Sequence, residues 1–257
     1  MRPPRPSACC SRSRISSAAS QPPSPPRLKR RSNSDATPVL SWLSGLKALR
    51  QSGTPCVLVT LAKTRGSVPR EPGAKMVVTE DAALGTIGGG QLEYEALRCA
   101  RALLAGDEVA ARLHRFDLGP SLGQCCGGVA QVLFEPTFEA AEGWLGALAR
   151  CVEQNEPALL VTAIGSAGDK LVVTRARVSG SLGDRPDQPD ALAAARAMLD
   201  EPNAGPRLEQ MESGALLFEP IRPEGLHVVL FGSGHVGKAL VRVLGELPCR
   251  ITWIDGR

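Results

Sequence analysis

The sequence predicts an α/β protein in three parts: a polar tail (residues 1–38), an α+β domain (39–222) with an internal duplication, and the start of a βαβ domain (223–257). Three observations support this division. They are the composition of the tail, an order of strand-like and helix-like segments that recurs, and a glycine motif between two apolar runs. With 43% apolar and 22% charged residues, the composition is typical of a globular protein.

The tail is rich in proline and serine. Residues 1–38 hold eight prolines and nine serines with hardly any aliphatic side chains, so burial could not offset the entropy lost on ordering. We interpret the tail as disordered. Two alternatives are a transit peptide, which the proline density disfavours because such peptides form amphipathic helices, and a true translation start near Val39.

Charge and cysteine usage exclude several classes of protein. Residues 1–34 contain eight of the 30 lysines and arginines, which leaves 22 basic against 26 acidic residues in 35–257 and no basic footprint for nucleic acid. The eight cysteines include no Cys-x-x-Cys pair, and no apolar stretch approaches the roughly 20 residues of a membrane helix. We therefore expect a cytoplasmic protein with free thiols, no membrane span and no nucleic-acid partner.

Apolar periodicity predicts the elements of the α+β domain in order. Its first half should form a helix, two strands, a helix and two strands: Val39–Gln51, Cys56–Ala62, Ala74–Thr79, Gln91–Leu104, Leu113–Phe116 and Val129–Phe134. After Pro136 much of this order recurs as a helix, two strands, a helix and a strand: Phe138–Val152, Ala158–Ile164, Lys170–Val173, Ala191–Leu199 and Ala215–Phe218.

The recurrence extends to the residues themselves, which predicts a duplication with copies at 55–136 and 157–220. Two β-rich halves could also share common strand residues by chance. The second copy lacks counterparts of the three unusual loops of the first copy, so any chemistry should lie in the first. The matching segments are Gly73-Ala-Lys-Met-Val-Val-Thr79 with Gly168-Asp-Lys-Leu-Val-Val-Thr174, and Leu133-Phe-Glu-Pro136 with Leu217-Phe-Glu-Pro220.

The first unusual loop is Thr64–Gly73, where Arg65 and Arg70 flank Ser67 between two strands. A rigid loop with guanidinium groups and a hydroxyl suits a phosphate or another oxyanion, because arginine presents a planar fork of donors. The alternative is a solvated hairpin loop with surface arginines.

The second loop, Gly85–Glu93, places Gly88, Gly89 and Gly90 at the start of a helix that continues with Gln91. Backbone amides and the positive end of the helix dipole point to this position, which predicts an anion cradle. Glycine also permits close approach of the backbone to a ligand. A plain flexible turn is the alternative.

The third loop, Gly123–Gly128, places Gln124 before two adjacent thiols, Cys125 and Cys126. Thiols among glycines and near arginines should have a lowered pKa and act as soft ligands or nucleophiles. The alternative is that these cysteines are small residues of the apolar core. We favour that role for the other cysteines of the domains, Cys56, Cys99, Cys151 and Cys249. We also expect structural roles for the two histidines, His114 and His227.

The C-terminal segment carries a dinucleotide-binding pattern. A buried strand, a helix and a second strand are predicted at His227–Phe231, Val236–Leu247 and Arg250–Ile254. Between the first two lies G-x-G-x-x-G with Gly232, Gly234 and Gly237, and Asp255 stands where a carboxylate would hold a ribose hydroxyl. This predicts a Rossmann-type start that could bind NAD(P) or another nucleotide. About 30 residues are too few for an independent sheet, so we expect a fragment of a larger domain.

These motifs resemble those of the XdhC/CoxI family, accessory proteins of xanthine dehydrogenase and related molybdenum hydroxylases. The resemblance covers about Ser41 to Arg257 and is weak over 137–220. It is carried by four segments: Arg65–Met76, Gly85–Glu93, Leu122–Gly128 and Phe231–Gly237.

The resemblance implies a chaperone rather than an enzyme. Such a protein binds the molybdenum cofactor (molybdopterin), protects it while a cysteine desulfurase supports its sulfuration, and inserts it into the molybdenum-bearing subunit of xanthine dehydrogenase. The resemblance also implies a homodimer. On this hypothesis Arg65, Arg70 and the Gly88–Gly90 loop suit the terminal phosphate, while Cys126 or Cys125 suits molybdenum. A nucleotide-dependent oxidoreductase and a pure interaction subunit are the alternatives.

Overall fold

The structure, a computed structural model, describes residues 41–106, 109–119, 127–137, 142–223, 226–245 and 249–255. Within these ranges the chain forms five helices and twelve strands in three sheets. The predicted α/β class is confirmed. None of the helices in these ranges is long and apolar enough to cross a membrane.

The first half of the α+β domain forms a five-stranded antiparallel sheet with the strand order β3-β2-β1-β5-β4. Apolar runs form its central strands, and two helices accompany it. The elements are α1 (Ser41–Gln51), β1 (Cys56–Arg65), β2 (Lys75–Val78), β3 (Ala83–Gly85), α2 (Gly90–Leu104), β4 (Arg112–Leu118) and β5 (Gly128–Thr137).

The second half forms another five-stranded antiparallel sheet, in the order β8-β7-β6-β10-β9. Counted from the start of each half, the strands of the two sheets have the same spatial order. The elements are α3 (Glu142–Glu153), β6 (Ala158–Ala163), β7 (Lys170–Val173), β8 (Val178–Ser181), α4 (Gln188–Asp200), β9 (Arg207–Met211) and β10 (Gly214–Ile221).

The register of the two sheets also corresponds. Thr60 of β1 pairs with Leu133 of β5, and Thr162 of β6 pairs with Leu217 of β10. The repeated Leu-Phe-Glu-Pro segments therefore lie opposite equivalent positions of the neighbouring strands. Equal strand order and equal register support the proposal that the two halves are copies.

Three strands were absent from the sequence prediction: β3, β8 and β9. Each lies at or near a sheet edge and is at most five residues long, and its side chains are exposed or half-buried. Without a buried face, the alternation that signals a strand is missing. The sequence pattern therefore did not indicate these three strands.

Four apolar clusters hold the domain together, and three of them join helices to the sheets. One joins α1 and α3 to a face of each sheet, through residues such as Trp42, Leu46, Trp144 and Leu148. The other face of the first sheet packs on α2, and that of the second sheet packs on α4. Because both faces are covered, the first seven residues of β1 are all buried.

Two buried ion pairs cross between the halves. Lys75 Nζ lies 2.6 Å from Glu219 Oε1, and Lys170 Nζ lies 2.6 Å from Glu135 Oε1. The lysines occupy equivalent positions in the repeated segments, as do the glutamates. Each lysine also donates to a threonine at 2.8 Å and faces a tryptophan ring: Thr60 and Trp42 for Lys75, and Thr162 and Trp144 for Lys170.

The third sheet is a βαβ unit of two parallel strands, β11 (Leu226–Phe231) and β12 (Cys249–Ile254), connected through α5 (His235–Leu244). None of the described side chains of α5 is buried. Phe231 is 80% exposed and Val236 is 74% exposed. The unit therefore presents an apolar surface to solvent, which is unusual for a βαβ unit because its strands are ordinarily covered on both faces.

Candidate functional site

The arginine loop and the end of the cysteine loop lie side by side. Arg65 ends β1 and pairs with Val129 of β5, and Ser67 forms a parallel bridge with Gly127. A Cβ atom on Gly128 would lie 2.1 Å from the carbonyl oxygen of Ser67. Glycine at this position therefore allows the two loops to touch.

The arginine loop also contacts the glycine loop. Gly88 has φ 126°, and a Cβ atom there would lie 2.6 Å from Pro69 Cβ and 3.2 Å from Arg70 Cγ. The glycine loop and the last two glycines of the cysteine loop thus both contact the segment from Ser67 to Arg70. The fold brings them together because β1 and β5 are neighbours and the glycine loop leads from the β2–β3 hairpin into α2.

Glu93 of α2 organises the glycine loop. Its Oε2 accepts hydrogen bonds from the amides of Ile87 and Gly89, each at 3.0 Å, and from the hydroxyl of Thr86. Partial burial alone would raise the pKa of Glu93, but the bonds from Thr86 and the backbone outweigh burial and lower it from its ordinary value of 4.5.

The contacts of Glu93 reduce the number of backbone amides that can bind an anion at the predicted site. The amides of Ile87 and Gly89 already donate hydrogen bonds to this carboxylate, so they are not available to bind a ligand. The first amides of α2, at Gly90 and Gln91, have no acceptor within the helix and remain the candidates. The side chain of Gln91 donates to Glu95 Oε1 at 3.2 Å and so lies along the helix.

The two arginines of the loop have different surroundings. Arg65 is near Asp117, whose pKa is lowered mainly by its hydrogen bonds with Arg115 and to a smaller extent by Arg65. Arg70 makes no ion pair or hydrogen bond within the described ranges, and its side chain is exposed beside the glycine loop. Arg70 is therefore the freer of the two guanidinium groups.

Three predicted site residues, Gln124, Cys125 and Cys126, lie outside the described residues. The loop's last two glycines are described, and Gly127 donates to the carbonyl of Leu118 at 2.7 Å. No group of three or more metal-ligating side chains occurs among the residues that the structure describes. A metal ligand at Cys125 or Cys126 stays a prediction.

Three of the other cysteines fit the core role assigned to them. Cys56 and Cys151 are buried free thiols. Cys99 lies on α2, where it is partly buried and packs against the apolar core between α2 and the first sheet. Burial raises the pKa of all three thiols, which makes them poor nucleophiles. His114 packs against the ring of Phe134, with 5.2 Å between centroids, as a structural residue would.

The C-terminal glycine motif has the geometry of a tight strand-to-helix turn. Gly232 has φ 95° and donates to the carbonyl of Ile254 at 2.7 Å. A Cβ on Gly237 would lie 2.4 Å from Gly232 O, so α5 packs closely on the turn. Asp255 accepts a hydrogen bond from the amide of Ser233 at 2.5 Å, so this carboxylate lies against the glycine turn itself.

Sequence reasoning missed Glu93 as a site residue and missed the buried pairs of Lys75 and Lys170. A glutamate just after three glycines was a usable signal, because a carboxylate is favoured in the first turns of a helix. The lysines and glutamates were visible in the repeated segments, but only the spatial arrangement shows that each pair joins opposite halves.

Comparison with solved structures establishes the fold class. The chain is similar to a crystal structure described as a xanthine dehydrogenase from Bacillus halodurans, with a TM-score of 0.62 and 21% sequence identity. The match covers 85% of this chain and 63% of that chain. At this identity the likeness concerns the fold, and the chain spans less than two thirds of the length of that protein.

Comparison with family models is more specific. Residues 49–117 match the model of the XdhC and CoxI family, so the resemblance predicted from the motifs is confirmed for this segment. The matched segment contains the arginine loop, the glycine loop and Glu93. No curated protein gives a significant match to the chain.

Proposed function

We propose that this protein binds the molybdenum cofactor, supports its sulfuration and inserts it into xanthine dehydrogenase or a related molybdenum hydroxylase. The observation that carries the proposal is the convergence of the arginine and glycine loops, both within the segment matched by the family model. The cofactor is cargo for such a protein, so the site must bind it firmly and still release it.

The residues fit this cargo at its phosphate end. Arg70 offers a guanidinium group that has no partner among the described residues, and Gly90 and Gln91 offer backbone amides at a helix start. Ser67 and Arg65 lie along the same loop. Bidentate arginine contacts and helix N-terminal amides are the groups that proteins commonly use for phosphates.

The thiols would serve the metal end. Gly127 and Gly128, which follow Cys125 and Cys126 in the chain, lie beside Ser67 of the arginine loop. A thiolate is a soft ligand that suits molybdenum. Because neighbouring residues of an extended segment point to opposite sides, one thiol should face the cofactor, and we propose Cys126.

The proposed partners follow from the cargo. A cysteine desulfurase would supply the sulfur, and the molybdenum-bearing subunit of xanthine dehydrogenase would receive the cofactor. We also propose a homodimer and a cytoplasmic location, in keeping with the free thiols of the described residues.

The test is cofactor stoichiometry in the protein purified from cells that make the cofactor. Pterin released from the protein is identified by mass spectrometry and counted per chain. Wild type should carry the cofactor, and Cys126→Ser should lose most of it without a change in melting temperature. Cys99→Ser is the matched control, because this thiol packs against a core and should not affect binding.

Two outcomes would contradict parts of this proposal. A wild-type protein that never carries a pterin would overturn the proposed function. Full loading of both Cys125→Ser and Cys126→Ser would overturn only the thiol ligand and would leave the arginine and glycine loops as the binding groups.

A nucleotide-dependent oxidoreductase is the second candidate, and the turn at Gly232 favours it. The glycine spacing, the helix start at His235 and the carboxylate of Asp255 form a Rossmann-type turn, which supports binding of NAD(P) or another nucleotide. Nucleotide-dependent turnover by the purified protein would favour the enzyme. Pterin without turnover would favour the chaperone.

A further inference from the structure

A cavity of about 470 Å³ lies beside the buried Lys75–Glu219 pair and is lined by residues of both halves. Its volume is in the range of small-molecule sites, which is about 300–1,000 Å³. From the first half it receives the start of α1, the end of the arginine loop and the start of the glycine loop. From the second half it receives Pro206 and the segment from Glu219 to Arg222.

Two residues of opposite charge lie at the floor of the cavity. Lys75 and Glu219 are both 2% exposed and neutralise one another. Trp42 forms an aromatic wall, with the ammonium group of Lys75 5.3 Å from the centre of its ring. A ligand would therefore meet little net charge at the floor.

The rim carries the uncompensated charge. Arg70 lines the cavity and has no partner among the described residues. Arg222 is anchored from the other half, since its guanidinium donates to the carbonyls of Ala204, at 3.0 Å, and Glu201. Carbonyls do not cancel its charge, so two guanidinium groups oppose the single carboxylate of Glu71 at the rim.

The cavity exists where the two halves differ. In the second half the loop between β6 and β7 is short and contains no arginine. In the first half the longer loop reaches the other half, where Gly73, at φ 93°, packs so closely that a Cβ would lie 3.0 Å from Pro206 Cγ. The extra loop length therefore adds a charged rim that the fold itself does not require.

We infer that this cavity binds the oxyanionic end of the ligand, a phosphate or a diphosphate, with Arg70 and Arg222 as its charged contacts. The inference rests on the proposed function and narrows it. It assigns the anion to a place between the halves, with one arginine from each, in place of Arg65 and the amides of Gly90 and Gln91, which do not line the cavity. Two guanidinium groups, one from each half, match a ligand with two or more negative oxygens.

The experiment measures the dissociation constants of inorganic phosphate and pyrophosphate by titration calorimetry on the full chain. Arg70→Ala should weaken pyrophosphate binding about tenfold or more, because it removes a charge-assisted contact. Arg70→Lys should restore part of the affinity. Arg196→Ala, an exposed arginine of α4 outside the cavity, should have no effect.

A second variant tests the cavity without touching a charge. Ser41 is exposed and lines the cavity, so Ser41→Phe should narrow it and reduce cofactor loading while the melting temperature stays unchanged. Tighter binding of pyrophosphate than phosphate would indicate a diphosphate-bearing cargo, and equal binding would indicate a terminal phosphate. Both results agree with the inference.

Two results would overturn the inference. One is equal pyrophosphate affinity of wild type, Arg70→Ala and Arg196→Ala, and the other is no anion binding by wild type. Neither result decides the proposed function, which depends on whether pterin is present in the purified protein. Conversely, a protein without pterin that binds pyrophosphate through Arg70 would refute the function and keep the anion site.

Discussion

Two lysines and two glutamates are among the deeply buried charged residues of the described ranges. Lys75 and Lys170 each reach across to a glutamate of the other half and donate to a threonine of their own sheet. Burial is the main cause that lowers the pKa of Lys75, and Glu219 opposes it. Such pairs add little over apolar packing when complete, but one partner left alone is costly.

Removing either lysine should therefore destabilise the protein strongly and by a similar amount. Lys75→Met and Lys170→Met should each lower the free energy of unfolding by about 3–5 kcal/mol, because each leaves a buried carboxylate without its cation. Urea denaturation measures the change, with the exposed Lys63→Met as control. A loss under about 1 kcal/mol in either variant would contradict the structural role.

Glu93 predicts a pH dependence. Its pKa is lower in the folded protein than the ordinary value of 4.5, so its contribution to stability is complete above that value and is lost as the pH falls through the folded pKa. At pH 7, Glu93→Gln should melt at a lower temperature than wild type. The difference should shrink in acid, and a difference that is constant down to pH 3 would contradict this assignment.

At the scale of elements, the apolar strands were predictable and the loop contacts were not. The runs in β1, β6 and β7 are buried on both faces and stand out in the sequence. The three loops stood out by their glycines, arginines and cysteines. Their mutual contact depends on β1 lying next to β5, a pairing across many residues that local sequence does not contain.

The neighbouring glycines of the second loop should respond differently to a methyl group. Gly88→Ala adds a clash with Pro69 to an unfavourable φ, whereas Gly89→Ala, at φ 71°, meets no atom within 4 Å. Because Gly89 combines φ 71° with ψ −167°, a conformation essentially confined to glycine, we expect Gly89→Ala to cost about 1–3 kcal/mol, and Gly88→Ala to cost more and to reduce cofactor loading. Unfolding curves and pterin content measure both effects; equal costs would show that the loops do not pack as described.

At the scale of the whole molecule, the two halves depend on each other. Each half supplies the glutamate that the other half's lysine needs, and α1 and α3 share a single core with both sheets. A half on its own would leave its lysine and its glutamate without their partners and would expose its part of that core. The two halves therefore form one cooperative structure, in which the second half stabilises the sheet that carries the arginine and glycine loops of the first half.

The βαβ unit lacks this mutual support, and its amides should exchange with solvent much faster than those of the two five-stranded sheets. The protection of an amide from exchange reflects the free energy of opening the structure around it. This free energy should be small here because the unit has only two strands. Apolar residues such as Phe231 and Val236 are exposed, and none of the described side chains of α5 is buried. Hydrogen exchange of the full chain, followed by mass spectrometry, compares residues 226–255 with β1 and β6 as internal controls.

Slow exchange throughout 226–255 would mean that another polypeptide, such as a second copy of the chain, covers this face. Dilution would then separate the two cases, because protection by a partner falls with protein concentration whereas protection within one chain does not.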